Sequence, residues 1–229
     1  LSYHFWQTLP DDELWQAARD GSLLQPVVLA HQVERLIADP RTRATMAELF
    51  ADFLKLEDLP ALDAQAQDPL FAAFAGRDLP GPELRQHVID DALDMLSYYT
   101  WTAPSGLEEL FTSELSFARS EDLARIYGAA AWDGSSAPPA LPVGHRAGLL
   151  TRAWFLAGAS ANTRPIMRGV FVRRQLLCDE IPPPPANVAA VPPALRSDRT
   201  TRQVVEELTQ QPGTACTSRT SASTPACWP

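Results

Sequence analysis

The chain has 229 residues, 45% hydrophobic and 21% charged, an ordinary balance for a globular protein with enough chain to bury a substantial core. Its net charge of −9 offers a nucleic acid no favourable field, so no nucleic-acid partner is expected. No apolar run approaches the roughly 20 residues that span a bilayer, which leaves no transmembrane segment in this chain.

The pattern along the chain is helical. Asp11 reads as the cap of a short helix through Leu14, Trp15 and Ala18, with Gly21 at its stop. Pro26 suits a first helical turn, and Val33, Leu36 and Ile37 follow at core spacing. Pro40 opens a helix whose Met46, Leu49, Phe50, Phe53 and Leu54 read as a second core stripe. Residues 57–81, with three prolines, form an irregular connection around a short apolar turn, Leu70 to Phe74. Pro82 opens the longest helix, with Leu84, Val88, Met95, Leu96 and Tyr99 on one side. Ser105-Gly106-Leu107-Glu108 has the form of a capping box, and Ser120 caps a helix ended by Gly128.

Residues 133–144 are rich in Pro, Gly and Ser and read as the main internal boundary. Helices over about 146–157 and 165–178 follow, then Pro182–Pro185, an extended polyproline strap anchored by Ile181 and Val188. Thr200 offers one more capping box, and the tail from Pro212 has nothing to bury. The expectation is an all-α, irregular multi-helix bundle with a polyproline strap and a disordered tail. Its parts are a helical domain over 1–132, a strapped helical segment over 145–211 and the tail over 212–229. The chain opens on Leu1 within sequence that already reads as structured, so a fragment or trimmed product is expected.

Charge is divided unevenly. Residues 1–143 carry 9 Lys and Arg against 23 Asp and Glu, whereas residues 144–229 carry 10 against 5. Between Gly144 and Cys178 there is no acid at all. Arg164, Arg168, Arg173 and Arg174 in that span are candidates for an anion site, or else they dock on the acidic portion, with Arg168 and Arg173 facing it. Of the three cysteines, Cys178 ends an apolar helix and is expected to pack as a small hydrophobe.

No catalytic motif appears, and the four histidines are scattered. Glu83, His87, Asp90, Asp91 and Asp94 share one side of the long helix. They would suit a metal inside a bundle, but a solvated polar face accounts for the same spacing and is the expectation, with no metal ligands assigned. His145 reads as a loop residue that would join Arg146 at an anion site if one existed. Trp6, Trp15, Trp101, Trp132 and Trp154 read as core filling rather than a stacking platform.

Several segments are more specific than helical amphipathicity. They are Leu1-Ser2-Tyr3, Pro10 to Leu14, Asp39-Pro40-Arg41, Leu123 to Gly128, Arg168-Gly169 and Ile181 to Val188. On these the chain resembles the planctomycete cytochrome C-type family in its C-terminal half, preceded by a planctomycete-type domain of unknown function. The resemblance implies an exported protein of the periplasm or cell envelope, with other domains of the same polypeptide as its partners. It also implies haem c in intact relatives, held by a Cys-x-x-Cys-His motif after a capped helix. Here Thr200 to Gln211 matches that helix and Cys216 stands at the first thiol, but Arg219 and Thr220 replace the second thiol and the histidine. Cys216 is thus the remnant of a haem motif, and the chain as written takes no cofactor. One back-translation of Thr220 to Pro229 in a neighbouring frame reads His-Val-Arg-Ile-Asn-Pro-Gly-Leu-Leu-Ala, which points to a reading-frame slip near Ser218.

Overall fold

The computed structural model describes residues 1–157, 165–182, 199, 203, 204, 206 and 207. Arg164, Pro183–Pro185, the Thr200 cap, Cys216 and the tail lie outside the described residues. Among those described, the fold is all-α, with one isolated antiparallel bridge, Leu115 to Ala140, as its only β pairing. No described helix is long and apolar enough to cross a membrane.

The helices are α1 (Ser2–Trp6), α2 (Asp12–Arg19), α3 (Pro26–Ala38), α4 (Pro40–Phe53), α5 (Pro69–Ala75), α6 (Leu84–Ser97), α7 (Leu107–Thr112), α8 (Glu121–Tyr127), α9 (Ala153–Leu156) and α10 (Pro165–Phe171). A π turn, Tyr98–Thr102, continues α6, and another, Val172–Leu176, continues α10. Contacts divide the chain within α9 into two compact units, Leu1–Trp154 and Phe155–Pro229.

Local chemistry sets the starts. The Asp11 carboxylate accepts from the Leu14 amide, and the Asp68 carboxylate accepts from the amides of Leu70 and Phe71. Asp39 accepts from the Arg41 amide, and prolines occupy the first turns of α3, α4 and α5. Helix α7 departs from the expected capping box. It begins at Leu107 with Gly106 at its cap, so Ser105 falls one residue early and no side chain caps it. Ser120 holds the cap position of α8 without bonding its amides.

In the first unit, α1 packs on α3 and α4, α4 on α6, and α6 on α8. Trp6, Leu14 and Leu36 close one cluster, with the Trp6 indole donating to the Leu36 carbonyl at 3.1 Å. Val88, Ala92, Met95, Phe117 and Leu123 are buried around α6. The expected core stripes are only half covered. Leu36 and Leu54 are buried, but Ile37, Leu49 and Phe53 are exposed. Apolar spacing gives a helix a face, and whether a neighbour covers that face is decided elsewhere in the chain.

Residues 133–144 are stitched into this unit. Ser116 donates its amide to Pro139 and Leu141 donates to Glu114, each at 2.7 Å, and Leu141 is buried. Gly148 then passes close to the backbone of Phe111. At φ +64° a Cβ there would fall 2.0 Å from the Phe111 carbonyl oxygen, so only glycine fits. Its amide donates to Ser113 at 2.7 Å, which fixes where the turn Leu149–Thr151 and Arg152 enter the core.

In the second unit, Phe155 and Phe171 meet edge to face at 5.7 Å. Cys178 corrects the expectation made for it. It takes a left-handed conformation (φ +54°) just beyond the π turn and is exposed.

Candidate functional site

The polar residues of α6 do not form one solvated face. Glu83 and Asp90 are exposed, the latter accepting from Gln86 at 2.8 Å. His87, Asp91 and Asp94, one turn apart, each engage a different partner from the segment that follows. The His87 Nδ1 lies 3.0 Å from both oxygens of Asp122. Asp94 takes a two-pronged bond from Arg119, at 2.5 and 2.6 Å. Asp91 is buried. No set of three His, Cys, Asp or Glu side chains gathers as metal ligands among the described residues.

Asp91 is the centre of this seam. Arg152, itself 0% exposed, donates from Nη1 to Asp91 Oδ1 at 3.1 Å, and its Nη2 donates to the Leu115 carbonyl. The Tyr127 hydroxyl donates to Asp91 Oδ2 at 2.7 Å and accepts the Ala153 amide at 3.0 Å. The guanidinium lies 5.3 Å from the Phe117 ring centre and 5.8 Å from that of Tyr127. Its Nε is buried without a partner.

Burial pushes the Asp91 carboxyl up, against the opposing pull of Arg152, Tyr127 and the Phe117 amide. Burial, reinforced by the Asp91 charge, also pushes the Tyr127 phenol up, so it stays protonated and remains the donor. An arginine keeps its charge in proteins, and a buried cation needs the paired carboxylate. The arrangement is therefore a hydrogen-bonded chain: Ala153 amide to Tyr127, Tyr127 to Asp91, Arg152 to Asp91 and to Leu115. Such a chain fixes α6, α8 and the 113–117 strand-like segment against one another.

Sequence reasoning took Asp91 for a surface residue, counted Arg152 only among the arginines of the acid-free span, and gave Tyr127 no role. A signal was present, because Asp91 stands three residues after Val88 and four before Met95, on the apolar stripe itself. An arginine of the acid-free span does dock on the acidic portion, and it is Arg152.

The other candidates separate. Arg173 is half-buried and its Nε meets Asp179, in its own unit, at 3.0 Å. Arg168 is half-buried on α10 and Arg174 is exposed, while Arg164 lies outside the described residues. His145 is exposed, whereas Arg146 donates to the Thr151 carbonyl at 2.7 Å and lies 5.0 Å from the Tyr127 ring centre. Trp6, Trp132 and Trp154 are buried as core, but Trp15 is exposed, on the side of α2 that no neighbour covers. Tyr98, Tyr99, Phe117 and Trp132 form an edge-to-face aromatic cluster beside the Arg119–Asp94 pair.

These features define an all-helical body closed by a buried ion pair, built from two successive sequence segments. Residues 1–129 match PSD4, a protein of unknown function (DUF1592), and residues 146–220 match PSCyt3, a protein of unknown function (DUF1588). The first match covers more than half of the chain, which belongs to that family. Both are planctomycete cytochrome-type domain families, following one another here in N- to C-terminal order, and their names suggest a cytochrome-related multidomain protein of unknown function. No curated protein and no solved structure matches it.

The haem implied by the family name does not fit the residues present. Cys216 to Thr220 supply one thiol and no imidazole, and covalent attachment with axial ligation needs two thiols and a histidine. Among the four histidines, His87 is committed to Asp122, and His4, His31 and His145 sit exposed on separate segments.

Proposed function

We propose that this chain is the helical scaffold of an exported, cell-envelope multidomain protein whose intact form serves c-type haem redox chemistry, with the haem held by another part of the polypeptide. The succession of the two family segments carries this reading. As written, the stretch after Cys216 lacks the second thiol and the histidine, which supports a haem held elsewhere in the polypeptide. The body's contribution is rigidity, through the Asp91–Arg152 lock and the Arg119–Asp94 and His87–Asp122 pairs.

A pyridine haemochrome spectrum of the full-length polypeptide from its own host, with mass spectrometry of the peptide bearing Cys216, tests it. Covalent haem in the polypeptide and an unmodified Cys216 peptide are expected. A haem-free full-length polypeptide overturns it. That outcome favours a second reading, a cofactor-free binding module that docks an anionic partner through Arg164, Arg168, Arg173 and Arg174. The absence of any acid between Gly144 and Cys178 supports that alternative.

A further inference from the structure

A groove of about 600 Å³ opens on the first unit between α4, the end of α1 and the π turn that closes α6. Its volume falls within the roughly 300–1,000 Å³ of small-molecule sites. Phe5, Ile37, Met46, Leu49 and Trp101 supply an apolar lining. Ile37 and Leu49 are 39% and 56% exposed, so the end of α3 and the stripe of α4 meet solvent here.

Two further observations give the groove a chemistry. Thr100 and Trp101 reach it from a π turn, a rare geometry that interrupts regular helical bonding and concentrates at functional sites. Apart from the Trp101 indole N–H, the lining polar side chains of α4 and the π turn keep no free proton to donate. The hydroxyls of Thr42, Thr45 and Thr100 donate to the carbonyls of Leu36, Arg41 and Leu96 at 2.6, 3.2 and 2.7 Å. With their protons committed, these side chains offer the groove methyl groups and lone pairs. Glu48 and Asp52, one turn apart on α4, add two carboxylates. Asp52 also meets Lys55 at 3.0 Å, an exposed pair of the weak kind that a ligand displaces readily. Donors in the lining are the Trp101 indole and, at the α1 end, His4 and Gln7.

We propose that this groove binds a small organic cation, its aromatic or alkyl body on the apolar lining and its ammonium group on Glu48 and Asp52. An amphiphile carrying a carboxylate would meet like charge at the α4 end. A neutral alcohol would satisfy one acceptor there and leave the charges unmatched.

Calorimetric titration of the 229-residue chain with three probes of one skeleton tests this: 4-phenylbutylamine, 4-phenylbutanol and 4-phenylbutanoate. The amine should bind about tenfold more tightly than the alcohol, as two surface ion pairs allow, and the carboxylate more weakly than either. Glu48→Gln with Asp52→Asn should bring the amine to the alcohol's affinity. Leu49→Ser should weaken all three probes together by about fivefold, the effect of losing a half-exposed leucine. These positions are exposed or half-exposed, so helicity is retained, and circular dichroism checks it. Leu70→Ser, at the exposed apolar surface of α5, should change no affinity and marks the specificity of the groove. Equal affinity for the three probes, a preference for the carboxylate, insensitivity to Leu49→Ser, or no binding of the amine at millimolar concentration would each overturn the proposal.

Discussion

Replacing Arg152 by methionine keeps most of the side-chain volume and removes the charge, which isolates the electrostatic contribution of the lock. The variant leaves Asp91 buried at 1% exposure without its cation, and strips the Leu115 carbonyl of its donor. Breaking a buried pair from one side costs about 3–5 kcal/mol, against a total stability of about 5–15 kcal/mol for an ordinary domain. Urea unfolding followed by circular dichroism should therefore show a large fall in midpoint at pH 8 with an unchanged slope. The pH dependence has a definite sign. Burial already raises the Asp91 carboxyl above its ordinary 3.8, and without Arg152 nothing comparable opposes it. A group raised in the folded state favours folding at low pH and loses that benefit as pH climbs through its folded value. The Arg152→Met variant should accordingly approach wild type near pH 4 and diverge from it toward pH 8. Asp91→Asn alone should also destabilise, by stranding the arginine. The double variant Asp91→Asn/Arg152→Met should cost less than the two singles added, because it strands no charge. A loss below about 1 kcal/mol, or one of equal size at every pH, would refute the buried-pair reasoning.

Gly148→Ala should abolish the folded first unit, read as loss of a cooperative urea transition, since its Cβ would lie 2.0 Å from a backbone oxygen that cannot step aside. Gly21→Ala, at a similar φ of +77° but in open space, should cost only about 1 kcal/mol. Asp39 is held down to about 2 by the Arg41 guanidinium and amide. Its stabilising contribution is therefore present above 3.8 and lost as pH falls toward 2, so acid titrations of Asp39→Asn and wild type should differ at neutral pH and converge near pH 2.

The starts of α2, α3 and α4 were legible in the sequence because their causes are local, whereas that of α7 was not. Asp11, Asp39 and Asp68 cap amides two or three residues away, and proline at a first turn needs no distant partner. The all-α class followed from the same short-range evidence. Features that depend on pairings across the chain were not legible. Leu49 and Phe53 have core spacing, yet both are exposed. The fate of Asp91 was set by an arginine 61 positions later, and its surroundings of Val88, Ala92 and Met95 only hinted at burial. Haem chemistry stood in the opposite position. The family resemblance implies it, whereas the stretch after Cys216 as written lacks the second thiol and the histidine.

The boundary between the two family segments is not a boundary of the fold. The first segment ends at Ala129 and the second begins at Arg146, yet Arg146, Gly148, Leu149 and Arg152 all belong to the first compact unit. Gly148 threads the chain past Phe111 and delivers Arg152 to a carboxylate, a phenol and a carbonyl that the first segment and its extension leave buried. The first segment thus builds a core with one anionic position that it does not neutralise, and the opening turns of the second supply the cation. That dependence is a physical reason for the two segments to occur in one polypeptide and in this order.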